Sequence, residues 1–353
     1  MFSIEMLPAR EGDCLWVRYG DIRKPRQILI DGGRAATYKQ LKQRFSKLSP
    51  NQREFELLII THVDRDHIEG ALNLLEDTTV PVKFKDIWFN GYDHLKDVKL
   101  ETFGAVQGER LSEALLKRKL PWNKHWSKKA VCLSKNSLRQ VMLDGGMRLT
   151  ILSPDRDKLT KLLPRWDKEC KKAGLIPGAK PKPSEPQGVE SFGGIDIEQL
   201  AVSPFVPDPG EPNGSTIAVL AECQGKRLLL AGDAHVDRLF ASLKAMKKTN
   251  TSRIVLDAFK IAHHGSEHNV SKELIQAIDC PRYLISTNGS YFKHPTPAAI
   301  ARIVKFGGQS VTLFFNYRSK YSQVWDNPSW KQKYGYQVVY PPRAMTGTLK
   351  LLL

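Results

Sequence analysis

The chain has 353 residues, 41% of them apolar and 26% charged, which excludes a disordered or fibrous polypeptide and allows a sizeable core. No run of eighteen apolar residues occurs, so no helical membrane span is expected. The start Met1-Phe2-Ser3-Ile4-Glu5-Met6-Leu7 also lacks the basic-then-apolar order of a secretory leader. The balance of 54 Lys and Arg against 37 Asp and Glu leaves a net charge of +17, which favours polyanionic partners, nucleic acid first, through phosphate contacts and counterion release.

In chain order, Ile4 to Leu7 and Cys14 to Tyr19 read as short strands around Glu11-Gly12-Asp13. Gln27 to Ile30 is a strand ending in the turn Asp31-Gly32-Gly33, Tyr38 to Leu48 has helical spacing, and Phe55 to Ile60 is a buried strand. A helix over Ile68 to Leu75, a strand at Lys85 to Phe89 and a basic helix at Glu109 to Lys119 follow. Ser137 to Leu143 and Arg148 to Ser153 open a second set of strands, and Lys158 to Ala173 is a helix interrupted or kinked near Pro164. Residues 174–192, rich in Pro, Gly and Lys, read as a mobile loop, so an insertion is expected at about 157–195. Strands then return at Ser215 to Glu222, Arg227 to Ala231, Phe259 to Ala262, Arg282 to Ser286 and Ser310 to Phe315. Helices are expected over His235 to Met246, Ser271 to Ile278 and Thr296 to Val304. An early and a late set of strands, with helices between, predict an α/β chain in which two sheets stack inside helical layers.

The positive charge is uneven. Lys117 to Leu143 carries eight Lys or Arg and no acid, with Trp122 and Trp126 interleaved, and Asp157 to Lys182 carries eight more against three acids. The tail from Tyr317 to Tyr336 mixes aromatics with cations; these either stack bases or cap the core, and the second is the favoured reading. Five scattered cysteines without a CxxC pair read as reduced thiols, consistent with a cytoplasmic location.

Chemistry concentrates where apolar strands end. Thr61-His62-Val63-Asp64-Arg65-Asp66-His67 follows the strand Phe55 to Ile60 and places two imidazoles and two carboxylates in six residues. Asp31 closes an earlier strand, Gly232-Asp233 follows Leu228 to Ala231, and His263-His264-Gly265-Ser266 follows Phe259 to Ala262. One such junction is weak evidence, but the set supplies the nitrogen and oxygen donors that divalent metals take.

This order resembles the metallo-β-lactamase superfamily over most of the chain. Within it, the sequence is similar to the hydrolase domain of competence-type DNA-uptake proteins and to related stand-alone hydrolases. The resemblance rests on Gly12-Asp13, Leu29 to Gly33, the His-x-Asp-x-Asp-His loop, Asn213-Gly214-Ser215-Thr216, Leu229 to Asp233, His263 to Ser266 and His294-Pro295. It implies an αββα four-layer sandwich, a single domain over residues 1–353, and two divalent metal ions at the sheet edges. By that resemblance His62, Asp64 and Asp233 hold one ion, Asp66, His67 and one of His263 or His264 hold the other, and Asp233 bridges. Asp31 is expected to orient a ligand or the motif loop, and Asn213 to bind metal or substrate or neither. Asp64 stands where the superfamily usually has His. The extra oxygen tilts the preference towards Mn or Mg, while the imidazoles keep Zn in play.

Two such cations lower the pKa of a shared water, with Asp66 receiving or aligning its proton and His294 donating to a leaving group or clamping a phosphate oxygen. His94, His125, His235 and His268 have no motif support. The expected function is a metal-dependent phosphodiesterase or nuclease on DNA or RNA, possessing a separately encoded protein partner and no membrane anchor. Hydrolysis of a small anionic ester (a nucleotide, a phosphocholine ester or a lactone) is the second enzymatic reading, and a metal-binding module without turnover the third.

Overall fold

The computed structural model describes residues 1–95, 106–134, 137–172, 195–247 and 253–353. Apolar residues that run without a break through the short strands determine the architecture. Successive side chains of a strand point to opposite faces, so a continuous apolar run must be covered on both. In the strand Leu57–Ile59, Leu57 and Ile59 enter one apolar cluster while Leu58 enters another. In Lys226–Leu230, Leu228 and Leu230 join the same cluster as Leu57 and Ile59, and Leu229 packs the other way. The shared cluster is therefore the seam between two facing sheets.

The first sheet runs Leu349–Leu352, Phe2–Met6, Leu15–Tyr19, Arg26–Ile30, Leu57–Ile59, Ile87–Trp88. The second runs Gln337–Val339, Thr312–Phe315, Arg282–Ile285, Ala258–Lys260, Lys226–Leu230, Ala218–Cys223, Met147–Ser153, Gln140–Leu143. Each sheet contains a parallel pair that matters for the site. Ile28 to Ile30 pairs with Leu57 to Ile59 in the first sheet, and Leu228 to Leu230 with Ala258 to Lys260 in the second. Outside the first sheet, Leu41 and Phe45 of Thr37–Ser46, Leu72 and Leu75 of Arg65–Glu76, Leu111 and Leu115 of Val106–Lys117, and Leu159 and Leu162 of Arg156–Lys172 cover Leu29 and Leu58. Outside the second, Leu239 and Leu243 of Val236–Met246, Leu274 of Lys272–Gln276 and Ile300 and Ile303 of Pro297–Phe306 cover Leu220, Leu229 and Phe259. The result is the αββα sandwich.

Several details differ from the sequence reading. The expected strand Phe55 to Ile60 is two: Glu54–Phe55 pairs with Lys83–Phe84 in a separate ladder, and Leu57–Ile59 enters the main sheet. Between them the buried Glu56 carboxylate takes the Lys85 ammonium at 2.8 Å and also pairs with Arg26. Asn213 lies in a short helical turn, Glu211–Gly214, and the strand expected from Ser215 begins at Ala218. In the tail, Trp325 and Tyr336 are fully buried and the Tyr336 hydroxyl donates to the Trp325 carbonyl at 2.8 Å, so these aromatics cap the core. Trp126 is buried under the Arg139 guanidinium and Trp122 stacks on Phe89, so the tryptophans of the first basic run face inward. The helix Arg156–Lys172 is one helix with Pro164 inside it and is not interrupted there, whereas the Pro/Gly/Lys-rich stretch 174–192 lies outside the described residues.

One helix carries a testable cost. Burial, with a smaller contribution from Asp93, pushes the Glu109 carboxyl up to about 7, and its Oε1 has no hydrogen-bond partner among the described residues. The folded protein therefore holds a proton that the unfolded chain releases, and stability falls as pH rises from the ordinary carboxylate range through 7. Glu109→Gln is expected to be more stable than the native chain at pH 8 by roughly 1 kcal/mol, with no advantage at pH 4. Denaturation midpoints at the two pH values check this; an equal shift at both would refute it.

Candidate metal centre

The two parallel pairs, one in each sheet, end at one rim, and the chain turns sharply after each strand. Asp31 (φ 56°), Gly232 (φ 51°), His263 (φ 46°) and His264 (φ 54°) all adopt the left-handed region. Such turns are unfavourable for non-glycine residues and persist where surrounding contacts impose them. After Leu57–Ile59, Asp64 is the extended residue that precedes the helix Arg65–Glu76. Asp66 and His67 consequently sit in its first turn.

His67 is fully buried, and its Nδ1 donates to Asp31 Oδ2 at 2.7 Å. Asp31 also accepts from the Thr61 amide at 2.8 Å and the Thr61 hydroxyl at 2.7 Å, locking the loop to the neighbouring strand. His264 is fully buried as well, and its Nδ1 donates to the Ser286 carbonyl at 2.8 Å. A neutral imidazole that donates from Nδ1 presents a lone pair at Nε2. The two Nε2 atoms lie 3.2 Å apart, so with both rings neutral two acceptors would confront each other. Asp233 lies between the imidazoles, with Oδ2 3.3 Å from His67 Nε2, 3.8 Å from His62 Nε2 and 3.7 Å from His263 Nε2, and Oδ1 3.6 Å from His264 Nε2. Neither His62 Nε2 nor Asp233 Oδ1 has a hydrogen-bond partner among the described residues.

Electrostatics follow from this packing. Burial opposes a charge on His67, yet Asp233 and Asp31 outweigh it and push the pKa well above the usual imidazole value. Burial likewise opposes ionisation of Asp233, but His67, His264 and His263 hold it well below the usual carboxylate range. Facing imidazole nitrogens ringed by carboxylates are, once His67 gives up its proton, a donor set that a divalent cation fits, and the cation would replace that proton beside Asp233. Ligand atoms within 4.8 Å of one another form the sets His62–His67–Asp233 and Asp66–His67–His264, which share His67.

The other expected residues divide clearly. Asp64 approaches His62, Oδ2 to Nε2 3.7 Å, but its side chain is 43% exposed and it joins neither set. His263 joins neither set, although its Nε2 stays 3.7 Å from Asp233 Oδ2. Its Nδ1 lies 2.9 Å from Asn269 Oδ1, 3.3 Å from Asp208 Oδ2 and 3.4 Å from Asn213 Nδ2. Asn213 donates to Asp208 at 2.7 Å, which leaves Asn213 beside the His263 arm. The His294 ring sits 5.2 Å from that of His263, buried, with Nδ1 unpartnered among the described residues. Burial and the neighbouring His263 and His264 keep its pKa well below the imidazole value, so it stands as a neutral ring. His125, His235 and His268 make bonds of their own, to Asp86, the Gly210 carbonyl and the Val206 carbonyl.

The sequence motifs left out Asp208, Asn269, Ser286 and Lys260, and gave Asp13 no role. Pro207-Asp208-Pro209 marked a rigid acidic turn, and Lys260 was a charge inside an apolar strand; both signals were present.

The αββα sandwich thus carries a buried cluster of imidazoles and carboxylates at its rim. No family model matches the sequence. Over 154 residues, 42% of the chain, it is 25% identical to ComE operon protein 3 of Bacillus subtilis (strain 168), and the match spans 18% of that protein. All of the chain aligns with 54% of the CmlA beta-hydroxylase E377D mutant at a TM-score of 0.44 and 11% identity, a distance at which no functional argument is drawn. No described helix is long and apolar enough to cross a membrane.

Proposed function

We propose that this chain hydrolyses phosphodiester bonds in DNA or RNA with two bound divalent ions, Zn or Mn, with Mg also compatible. The observation that carries the reading is the pair of opposed Nε2 atoms of His67 and His264, 3.2 Å apart beside Asp66 and Asp233. In this reading His62, Asp64 and Asp233 would hold one ion and Asp66, His67 and His264 the other, with Asp233 near the rings of both groups. Bound there, the ions supply Lewis acidity and neutralise charge developing on a phosphoryl oxygen.

The chain's own groups do the rest. Asp66 accepts the proton of the attacking water or aligns it. The neutral His294 ring can donate a hydrogen bond to a phosphate or leaving-group oxygen. Asp31 and the Ser286 carbonyl fix the tautomers of His67 and His264, while Asp208 and Asn269 hold His263.

Three observations support a nucleic-acid substrate. The net charge is +17. The basic helix Arg156–Lys172 packs on Glu211–Gly214, the segment that carries Asn213. At the rim Tyr291 and Phe292 are 39% and 42% exposed, with Phe292 stacked on His294 and the Arg34 guanidinium over Tyr291, an arrangement suited to bases and phosphates. The reading takes residues 1–353 as one domain acting in the cytoplasm, beside a separately encoded partner.

Incubation with single- and double-stranded DNA and RNA in Mn²⁺ or Zn²⁺ tests it. Cleavage that a chelator abolishes is expected, slower by about 10²- to 10⁴-fold in Asp66→Ala. Turnover confined to nucleotides, phosphocholine esters or lactones would replace the polymer with a small anionic ester. Tight metal binding without any turnover would reduce the protein to a binding module.

A further inference from the structure

A fully buried ion pair lies beneath the centre and outside the expected ligand series. Lys260, the last residue of the strand Ala258–Lys260, is 0% exposed, and its Nζ sits 2.6 Å from Asp13 Oδ2 while donating to the Ile261 carbonyl at 3.1 Å. Asp13 is equally buried, with Oδ1 3.5 Å from His264 Nδ1. Its carboxylate falls within 4.8 Å of ligand atoms in two further sets, Asp13–Asp233–His264 and Asp13–Asp31–His67. Asp13 thus belongs to the same cluster as the proposed ligands.

Two facts need one explanation: a lysine without any solvent contact, and a carboxylate at the centre paired with an ammonium. Burying such a pair gives little net stability, but removing one partner leaves a buried charge alone, which is severe. The carboxylates of Asp13, Asp31, Asp64, Asp66 and Asp233 gather around the site. Two divalent ions would balance four of them, and Lys260 balances the fifth.

We propose that Lys260 is a permanent internal cation of the centre, whose ammonium engages Asp13, withholds it from metal coordination and so limits the site to two metal ions. This rests on the metal-centre reading above. When Lys260 is removed, Asp13 becomes a free ligand beside His264 and Asp233, and an added metal ion takes over the ammonium's role.

The test compares native protein, Lys260→Met, Asp13→Asn and the double variant, each unfolded thermally in chelator and again with Mn²⁺, with bound metal measured by elemental analysis. In chelator, Lys260→Met is expected to lower the midpoint by roughly 10 °C, and the double variant to recover most of that loss. With Mn²⁺, Lys260→Met should regain more stability than the native chain and carry more metal per chain, and the double variant should do neither. A purely structural role for Lys260 would move the midpoint but not the metal content. If Lys260→Met does not fold, a folded double variant with two metals per chain supports the proposal and an unfolded one overturns it. Additive midpoint losses, or unchanged metal content in folded Lys260→Met, also overturn it. A native chain that takes up no Mn²⁺ sinks the functional reading on which the proposal rests, whereas native uptake of two equivalents with unchanged metal content in folded Lys260→Met sinks the proposal alone.

Discussion

Asp233→Asn is expected to reduce bound metal from two equivalents to one or fewer per chain and to slow phosphodiester hydrolysis by about 10³-fold or more. The reason is its position. Its oxygens lie 3.3 to 3.8 Å from the Nε2 atoms of His62, His67, His263 and His264, and no other carboxylate among the described residues approaches all four rings. An amide keeps the shape but loses the charge and turns one oxygen into a hydrogen-bond donor, which cannot face a cation. Deleting that anion would therefore affect both proposed ion sites at once, whereas Asp64, half-buried and within 4 Å of His62 alone among the rings, would touch one. The readouts are metal per chain by elemental analysis and initial rates at saturating metal. Two retained equivalents with a near-native rate would show that Asp233 does not link the sites.

The proposed ligands could be read from the sequence because each ends an apolar strand, where a parallel sheet presents side chains at its carboxyl edge. Continuous apolar runs such as Leu57 to Ile60 also marked strands covered on both faces, and with them the sandwich. The partners beneath the ligands were harder to read. Gly12-Asp13 stood out as a motif but without a role for Asp13, and nothing local connects it to Lys260, because that pairing forms only when the two sheets face each other. The choice within His263-His264 was also invisible: both adopt positive φ, and this backbone bend sends one ring to Asn269 and Asp208 and the other to His67. The helix after the motif starts at Arg65 instead of Ile68, because the polar motif residues occupy its first turn and hide the apolar period there.

Gly12→Ala is expected to destabilise the fold by about 3 kcal/mol or more and to abolish metal uptake at the Asp66 side. A Cβ at Gly12 would lie 1.8 Å from the Asp66 carbonyl oxygen and 2.6 Å from its carbonyl carbon, backbone atoms of the helix turn that also carries His67. That turn has little room to yield: His67 is anchored to Asp31, and the Gly12 carbonyl accepts from the Ser286 hydroxyl at 3.0 Å. Overpacking normally costs about 1–3 kcal/mol and exceeds that range when the obstacle is backbone. The matched control is Gly225→Ala, where φ is 74° but nothing lies within 4 Å of the added carbon. Its cost should stay near 1 kcal/mol, the price of the left-handed backbone alone. Denaturation midpoints of the two variants, with metal content measured on the folded fraction, separate close approach from backbone preference. Equal losses would mean that the first hairpin does not press on the ligand loop, and that Asp66 owes its position to something other than the missing Gly12 side chain.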